Sequence, residues 1–303
     1  MDDELASTFS IVALDPETGE LGIAVESKAF SVGSLVPWAK AGVGAVATQS
    51  LVNVSLGPKG LELLEDGLSP GEVIEEFKKI DTRLDLRQVG IVDAQGRSHS
   101  YTGENCIPWA GGRTGKGYAI QGNILTGSEV IEEMERAFLN TDGSLARRLV
   151  AALQAGQKAG GDARGKQSAA LIIEKEGEGR AGYGSRKIEL RVEDHPEPIE
   201  ELSRLLGIIE VNQEIFRIQQ SFSKENLSVE EAIAKIKETI VSYDGKKDEL
   251  WLNLAAFQYS VEDMDGALAS IHSCLEENPA MITIIKHFPK LGYFDEEFLK
   301  RLD

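Results

Sequence analysis

The chain has 303 residues, with 32 Lys plus Arg against 50 Asp plus Glu and a formal net charge of −18. Such a surface repels phosphate backbones and anionic membranes, which argues against a nucleic-acid partner. There is no run of about 18 apolar residues to span a membrane, and the acidic start MDDELAS is wrong for a secretory signal, so a cytoplasmic protein is expected.

The stretch TFSIVALDPETGELGIAVESK, Thr8 to Lys28, predicts a β-hairpin. Phe9, Ile11 and Ala13 alternate with Ser10 and Val12, and Leu21, Ile23 and Val25 alternate with Gly22 and Ala24, which is strand spacing. Asp15, Pro16 and Gly19 supply the turn. Antiparallel pairing then brings Thr8 beside Glu26, Ser27 and Lys28. A Thr next to a Lys and a Glu has the parts of an activated nucleophile; the plain alternative is a hairpin with polar ends.

After a loop, FSVGSLVPWAKAG, the segment VGAVATQS predicts a buried strand ending at Thr48 and Gln49. GPKGLELLED is a short helical pattern. Ser69, Pro70 and Glu72 open the next helix as a capping box. LRQVGIVDAQGRSHSYTG predicts a second hairpin, CIPWAGGRTGKG a loop, and YAIQGN a strand ending on Gln121 and Asn123. Two helices follow, from Ser128 to Leu139 and from Ser144 to Gln157. GGDARGKQ is a loop; SAALIIEKE and KIELRVE are strands. Helix pairs segregated from mostly antiparallel strands predict an α+β fold with sheets covered by helical layers.

DHPEP, from Asp194, marks a boundary. The expected division is a first domain over 1–194, a linker and long helix over 195–226, and a helical domain over 227–303. Within the last, Trp251, Leu254, Ala255, Ala267, Ile271 and Pro279 follow the large-small spacing of a tetratricopeptide helix pair. One such pair leaves a face carrying Leu250, Trp251, Leu254, Phe257 and Ile271, from which a homo-oligomer or a protein partner at these helices is expected.

Polar groups gather at predicted strand ends and adjacent loops: Thr8, Ser27 with Lys28, Thr48 with Gln49, Asn123, and Asp162 with Gln167 and Ser168. If these ends converge they have the parts for acyl transfer, a hydroxyl nucleophile, an amine to take its proton and amides to hold an oxyanion. Thr8, Lys28 and Asn123 are the candidate catalytic residues; Glu26, Ser27, Thr48, Gln49, Asp162, Gln167 and Ser168 are candidates for substrate binding. GGRTGKG fails as a Walker A loop at Ala110 and Gly117. Cys106 has only His99 nearby as a base and reads more simply as packed. Cys106 and Cys274 imply no disulfide framework, and His99, His195, His272 and His287 lack metal-ligand spacing, so no cofactor or metal is expected.

The hairpin together with VPWAKAGVGAVATQ, CIPWAG, QGN and GGDARGKQSAAL resembles the bacterial and archaeal family called Domain of Unknown Function 1028, over roughly Thr8 to His195. The resemblance implies an N-terminal nucleophile (Ntn) hydrolase-like fold, a four-layer αββα sandwich, here followed by a small all-α tetratricopeptide-like extension. Members commonly begin Met-Thr, so loss of Met would expose a Thr amine at the position of Thr8. Some members carry a C-terminal segment described as a candidate peptidoglycan binder, whose start DHPEPIEELSRLL resembles. The hairpin also resembles the opening of proteasome subunits, whose catalytic lysine comes later. By that spacing Lys40 rivals Lys28.

These readings lead to two expectations. One is an Ntn-type amidohydrolase or peptidase acting on an amide bond of a small molecule or short peptide through a Thr8 acyl-enzyme. The other is a non-catalytic binding or scaffold protein that interacts through its C-terminal helices. By the N-terminal mechanism the first requires removal of residues 1–7, because the base is then the free amine of Thr8; if they stay, the Thr8 hydroxyl is either structural or activated by a side chain such as Lys28. MDDELAS has few apolar residues to anchor it and is expected to be mobile.

Overall fold

The computed structural model of the chain describes residues 4–6, 8–179, 182–224 and 226–302. They form two compact units, Met1–Leu206 and Gly207–Asp303. The boundary falls inside a helix, C-terminal to the DHPEP break.

In chain order the first unit contains β1 (Glu4–Ala6), β2 (Thr8–Leu14), β3 (Leu21–Ser27), β4 (Pro37–Lys40), β5 (Gly44–Val52), α1 (Leu56–Glu65), α2 (Pro70–Ile80), β6 (Arg87–Asp93), β7 (Ser98–Thr102), β8 (Gly111–Gly115), β9 (Tyr118–Gly122), α3 (Glu129–Asn140), α4 (Leu145–Lys158), β10 (Ser168–Glu174) and β11 (Arg186–Val192), and leads into α5 (Pro198–Ser223). Two antiparallel sheets result. One runs β1-β5-β6-β7, with β4 also paired to β5; the other runs β11-β10-β3-β2-β9-β8.

Val12, Ile23 and Val25 of the second sheet pack with Ala45, Ala47 and Val92 of the first. Val46, Val89 and Ile91 turn the other way, onto Leu56, Val73 and Phe77 of α1 and α2. The central strands are thus buried on both faces, so their alternation is not apolar-in, polar-out. Thr8 and Ser10 share a face with Val12, and that face points into the space between the sheets.

The capping box at Ser69–Glu72 forms as the sequence predicts, and Ser228–Glu231 forms a second one. Ser144 caps α4 through the Arg147 amide. Two strands lie in segments predicted as loops. β4 is short, and β8 reads GGRTG, which lacks strand propensity. Tertiary packing explains the glycines of β8: a Cβ on Gly112 would lie 2.3 Å from Ser100 Oγ and 2.6 Å from the Ile120 carbonyl.

Residues 4–6 differ from the expectation of a mobile start. They pair antiparallel with β5, Glu4 opposite Val52 and Ala6 opposite Ser50. β4 covers this edge of β5 from Gly44 to Ala47, and the nine-residue β5 continues past it. Backbone pairing needs no apolar side chain, so an acidic segment can dock there. Ser7, and with it the Ser7–Thr8 bond, lies outside the described residues.

The second unit continues from α5 into α6 (Val229–Ser242), α7 (Asp248–Ser260), α8 (Met264–Glu277), α9 (Met281–Ile285) and α10 (Glu296–Leu299). The apolar face invoked for self-association is covered within the unit. Leu250, Leu254 and Phe257 pack with Val211 and Ile215 of α5 and with Ile236 and Ile240 of α6. Ile271 packs with Met281, Ile285, Phe294 and Phe298. The C-terminal segments, too short to show a helical period, supply the cover, so this face gives no argument for an oligomer. No described helix is long and apolar enough to cross a membrane.

Candidate functional site

β2, β3 and β10 lie side by side in a register that aligns three hydroxyls, Thr8 opposite Ser27 and Ser27 opposite Ser168. Thr8 Oγ1 donates to Ser27 Oγ at 3.3 Å, and both residues are fully buried. Ser168 is committed to the following loop: it donates to the Ala29 carbonyl at 2.6 Å and accepts from the Val32 amide at 3.0 Å.

The Thr8 carbonyl is held from two sides. The Asn123 amide donates to it at 3.0 Å, and Gln49 Nε2 at 3.3 Å. Behind these lies a buried amide network. Gln49 Nε2 also donates to Gln88 Oε1 at 2.8 Å, which accepts from Asn123 Nδ2 at 3.0 Å. Ser10 Oγ donates to Gln49 Oε1 at 2.6 Å and accepts from Gln121 Nε2 at 2.7 Å. Buried amides without partners would cost about 1–3 kcal/mol each, so such a network orders the strands that carry it. Ser10 and Gln88 were not singled out by sequence reasoning. The available signal is a polar residue at a sheet-facing position, Gln88 in phase with Val92 and Ser10 in phase with Val12.

The structure brings Thr8, Ser27, Gln49 and Asn123 together, with Ser168 in the same row. Thr48 faces away, toward the helices, and donates to the Asn53 carbonyl at 3.2 Å. Lys28 is the first residue after β3, and its side chain is exposed, whereas Thr8 is fully buried. Lys40 pairs with Glu65 at 2.6 Å on the surface. It lies opposite Gly44, five residues from Gln49 along β5, a separation of about 17 Å at about 3.4 Å per residue.

Glu26, Asp162 and Gln167 form a second group around the end of β3. Asp162 accepts from the Lys28 amide at 3.1 Å and pairs with Arg164 at 3.1 Å. The Gln167 amide donates to the Ser27 carbonyl at 3.1 Å, tying the loop to β3, and its side chain donates to Asp194. Glu26 lies opposite Phe9, on the opposite face of the sheet from Ser27, and neither of its carboxyl oxygens completes a hydrogen bond. Burial pushes its carboxyl well above the usual range; the Asp162 carboxylate adds to this, while the Gln167 amide, Lys166 and Arg164 oppose it.

A carboxyl raised on folding contributes stability fully below its unfolded value of about 4.3, and loses it as pH rises toward the folded value. Glu26→Gln keeps the shape without the ionisation. It is therefore expected to flatten the fall in stability between about pH 4 and neutrality. Urea midpoints across that range check this; an unchanged pH slope would refute it.

Two non-glycine residues beside the site have left-handed backbone, Ser50 at φ 73° and Ile124 at φ 52°. For a β-branched residue such as Ile124 this is strain of about 1–3 kcal/mol, sustained by the surrounding bonds. Its amide donates to the Ile107 carbonyl, and the Leu125 amide to that of Trp109. Cys106 is packed: burial pushes its thiol up, and Sγ donates to the Arg87 carbonyl at 3.3 Å. His99 sits on β7 opposite Ile91. No cluster of three metal-ligating side chains occurs among the described residues.

The crystal structure of protein SPO2555 from Silicibacter pomeroyi aligns at 31% identity and TM-score 0.61, over 66% of this chain and 84% of that one. Anbu (ancestral beta-subunit) from Yersinia bercovieri aligns at 15% identity over 68% of this chain and 96% of that one, with a TM-score of 0.31 that is too low to carry an argument. No curated protein matches. The model of DUF1028, described as a family of unknown function, matches residues 8–202 and so starts at Thr8. The chain belongs to the DUF1028 family.

Proposed function

We propose that the described chain is the unprocessed form of an Ntn-type amide-bond hydrolase. In this reading the first unit is a four-layer αββα sandwich and the second a tetratricopeptide-like extension. The observation that carries the reading is Thr8 itself: it heads a central strand, its hydroxyl lies on Ser27, and its carbonyl is held by the Asn123 amide and Gln49. A family match that begins at this residue agrees with it.

While residues 1–7 are attached, the Thr8 nitrogen is an amide and cannot accept a proton. Once freed, its amine, with a pKa of about 8, takes the Oγ1 proton as Oγ1 attacks a substrate carbonyl. The carbonyl–nitrogen bond breaks, the amine returns the proton to the leaving nitrogen, and a Thr8 ester remains. Water then opens the ester to a carboxylic acid and free Thr8. Lys28 and Lys40 have no step in this scheme, and Asn123 and Gln49 position Thr8. A small molecule or a short peptide is the substrate class.

Intact mass and an irreversible β-lactone probe test the proposal. A species beginning at Thr8 is expected to take one adduct on that residue, and Thr8→Ala to take none, a loss of at least about 1,000-fold in labelling rate. A processed chain that never labels at Thr8 would refute it.

A second reading, a binding protein on an inactive hydrolase-like frame, draws on the burial of Thr8 and the exposure of Lys28. It expects the native protein to keep residues 1–7, and a partner captured by the full chain to be retained in Thr8→Ala.

A further inference from the structure

We infer that the edge of β5 at residues 50–52 is a binding site for the backbone of an extended peptide, which β1 fills in the described chain. The inference rests on the proposed function for the identity of the bond cleaved, but not for the binding itself. β5 is paired to β6 on one side from Gly44 to Ser50. On its other side β4 ends opposite Ala47. The Thr48 amide still donates to the Val36 carbonyl at 3.1 Å, and further along this edge Glu4, Leu5 and Ala6 lie opposite Val52, Leu51 and Ser50. A strand edge without a neighbour presents a row of unpaired amides and carbonyls, which is a template for one more strand.

The register sets the polarity. The bound segment runs antiparallel to β5, with Ala6 at its Thr8-proximal end. At the same end of β5, Gln49 donates to the Thr8 carbonyl. A peptide taking the place of β1 would therefore present its C-terminal side to Thr8, and the acyl part of the scissile amide would lie along residues 50–52. Leu5 is 38% exposed, so recognition there is by backbone more than by side chain. The substrate class is thus a peptide with at least three extended residues on the acyl side of the cleaved bond. In the intact chain the tethered segment occupies this edge at an effective concentration of about millimolar, and so excludes such a peptide.

The test uses the full chain in a Thr8→Ala background, so that binding is read without acyl transfer. Adjacent N–H groups of a strand point to opposite sides, so Leu5→Pro with Ala6→Pro removes whichever of the two donates to β5. Should the proline pair not fold, Leu5→Gly with Ala6→Gly loosens the same pairing through backbone entropy. The probe is a fluorescein-labelled acetyl-Glu-Leu-Ala-Ser amide, read by anisotropy, with amide exchange followed at residues 50–52. The released variant is expected to bind at least tenfold more tightly than the chain with unaltered β1. N-methylation of the probe's Leu and Ala nitrogens is expected to abolish that binding. Faster exchange at 50–52 without binding, no change in exchange there, or binding indifferent to N-methylation would each overturn the inference. Peptide binding without any Thr8 adduct in the processed protein would sink the hydrolase reading and leave the site standing. The converse result would sink the site alone.

Discussion

Gly90→Ala is expected to destabilise the first unit by about 2–4 kcal/mol, the sum of overpacking and of stranding a buried amide. Gly90 lies in β6 opposite Ala47, with its open side toward the second sheet. A Cβ there would lie 2.0 Å from Gln121 Oε1, 2.3 Å from Cδ and 2.4 Å from Nε2. A side-chain end can usually swing clear of such a contact. Gln121 is fully buried, however, and Nε2 donates to Ser10 Oγ at 2.7 Å, so moving it leaves Ser10 without that donor. The sheets must part or the network must break. Urea unfolding of the single variant, of Gln121→Ala and of the pair checks this. Once the amide is gone the methyl has room, so the double variant should be less destabilised than the sum of the two by at least about 1 kcal/mol. Strict additivity would refute the contact.

Asp81→Asn is expected to cost about 3–5 kcal/mol at neutral pH, because it leaves a buried guanidinium without its counter-charge. Asp81 follows α2 and pairs with Arg87 Nε at 3.0 Å; both side chains are nearly buried. Asn53 Nδ2 donates to the same carboxylate at 2.8 Å, and Arg87 also donates to the Leu51 carbonyl. The pair therefore ties the end of α2 to β6 and to the part of β5 that β1 covers. Burial by itself would raise the Asp81 carboxyl. Hydrogen bonds from Asn53, the Arg83 amide and Arg87, with the Arg87 charge, outweigh that and hold it below the usual range. A carboxyl lowered on folding contributes stability above its unfolded value, about 3.9, and loses it as pH falls through the folded value. The gap between wild type and variant should therefore be widest near neutrality and narrow below about pH 4. Denaturant midpoints from pH 2 to 7 read this directly, and a gap independent of pH would show that the carboxylate charge is not what matters.

The fate of the candidate residues shows how far the residues alone can be read. Thr8 and Ser27 meet as the hairpin implies, because the turn between β2 and β3 sets their register locally. Gln49 joins them from the inward face of β5, three residues before that strand ends, and Asn123 from the position just after β9. Lys28 shows the limit: it is one residue from the buried Ser27, yet it lies past the end of β3 and is exposed. Thr48, next to Gln49 in β5, faces the other way, toward the Asn53 carbonyl, while Gln49 faces Thr8. Strand parity follows from which face meets the other sheet, and with both faces buried the apolar pattern does not distinguish them. Ser10, Gln88 and Gln121 are polar residues in apolar runs, and their purpose appears only when β2, β5, β6 and β9 are brought together.

By itself the sequence determined what depends on near neighbours: the Thr8 hairpin, the helix caps at Ser69, Ser144 and Ser228, the break at Asp194 and the helical character beyond it. These rest on turn dihedrals, capping bonds and periods of two and 3.6, all spanning a few residues. Only the tertiary structure decided that residues 4–6 complete the edge of β5, that Lys28 is exposed, and that the C-terminal segments cover the face carrying Ile271. Each of these is a pairing or packing choice between segments distant in the chain, set by which edges and faces remain unfilled once the sheets and helices assemble.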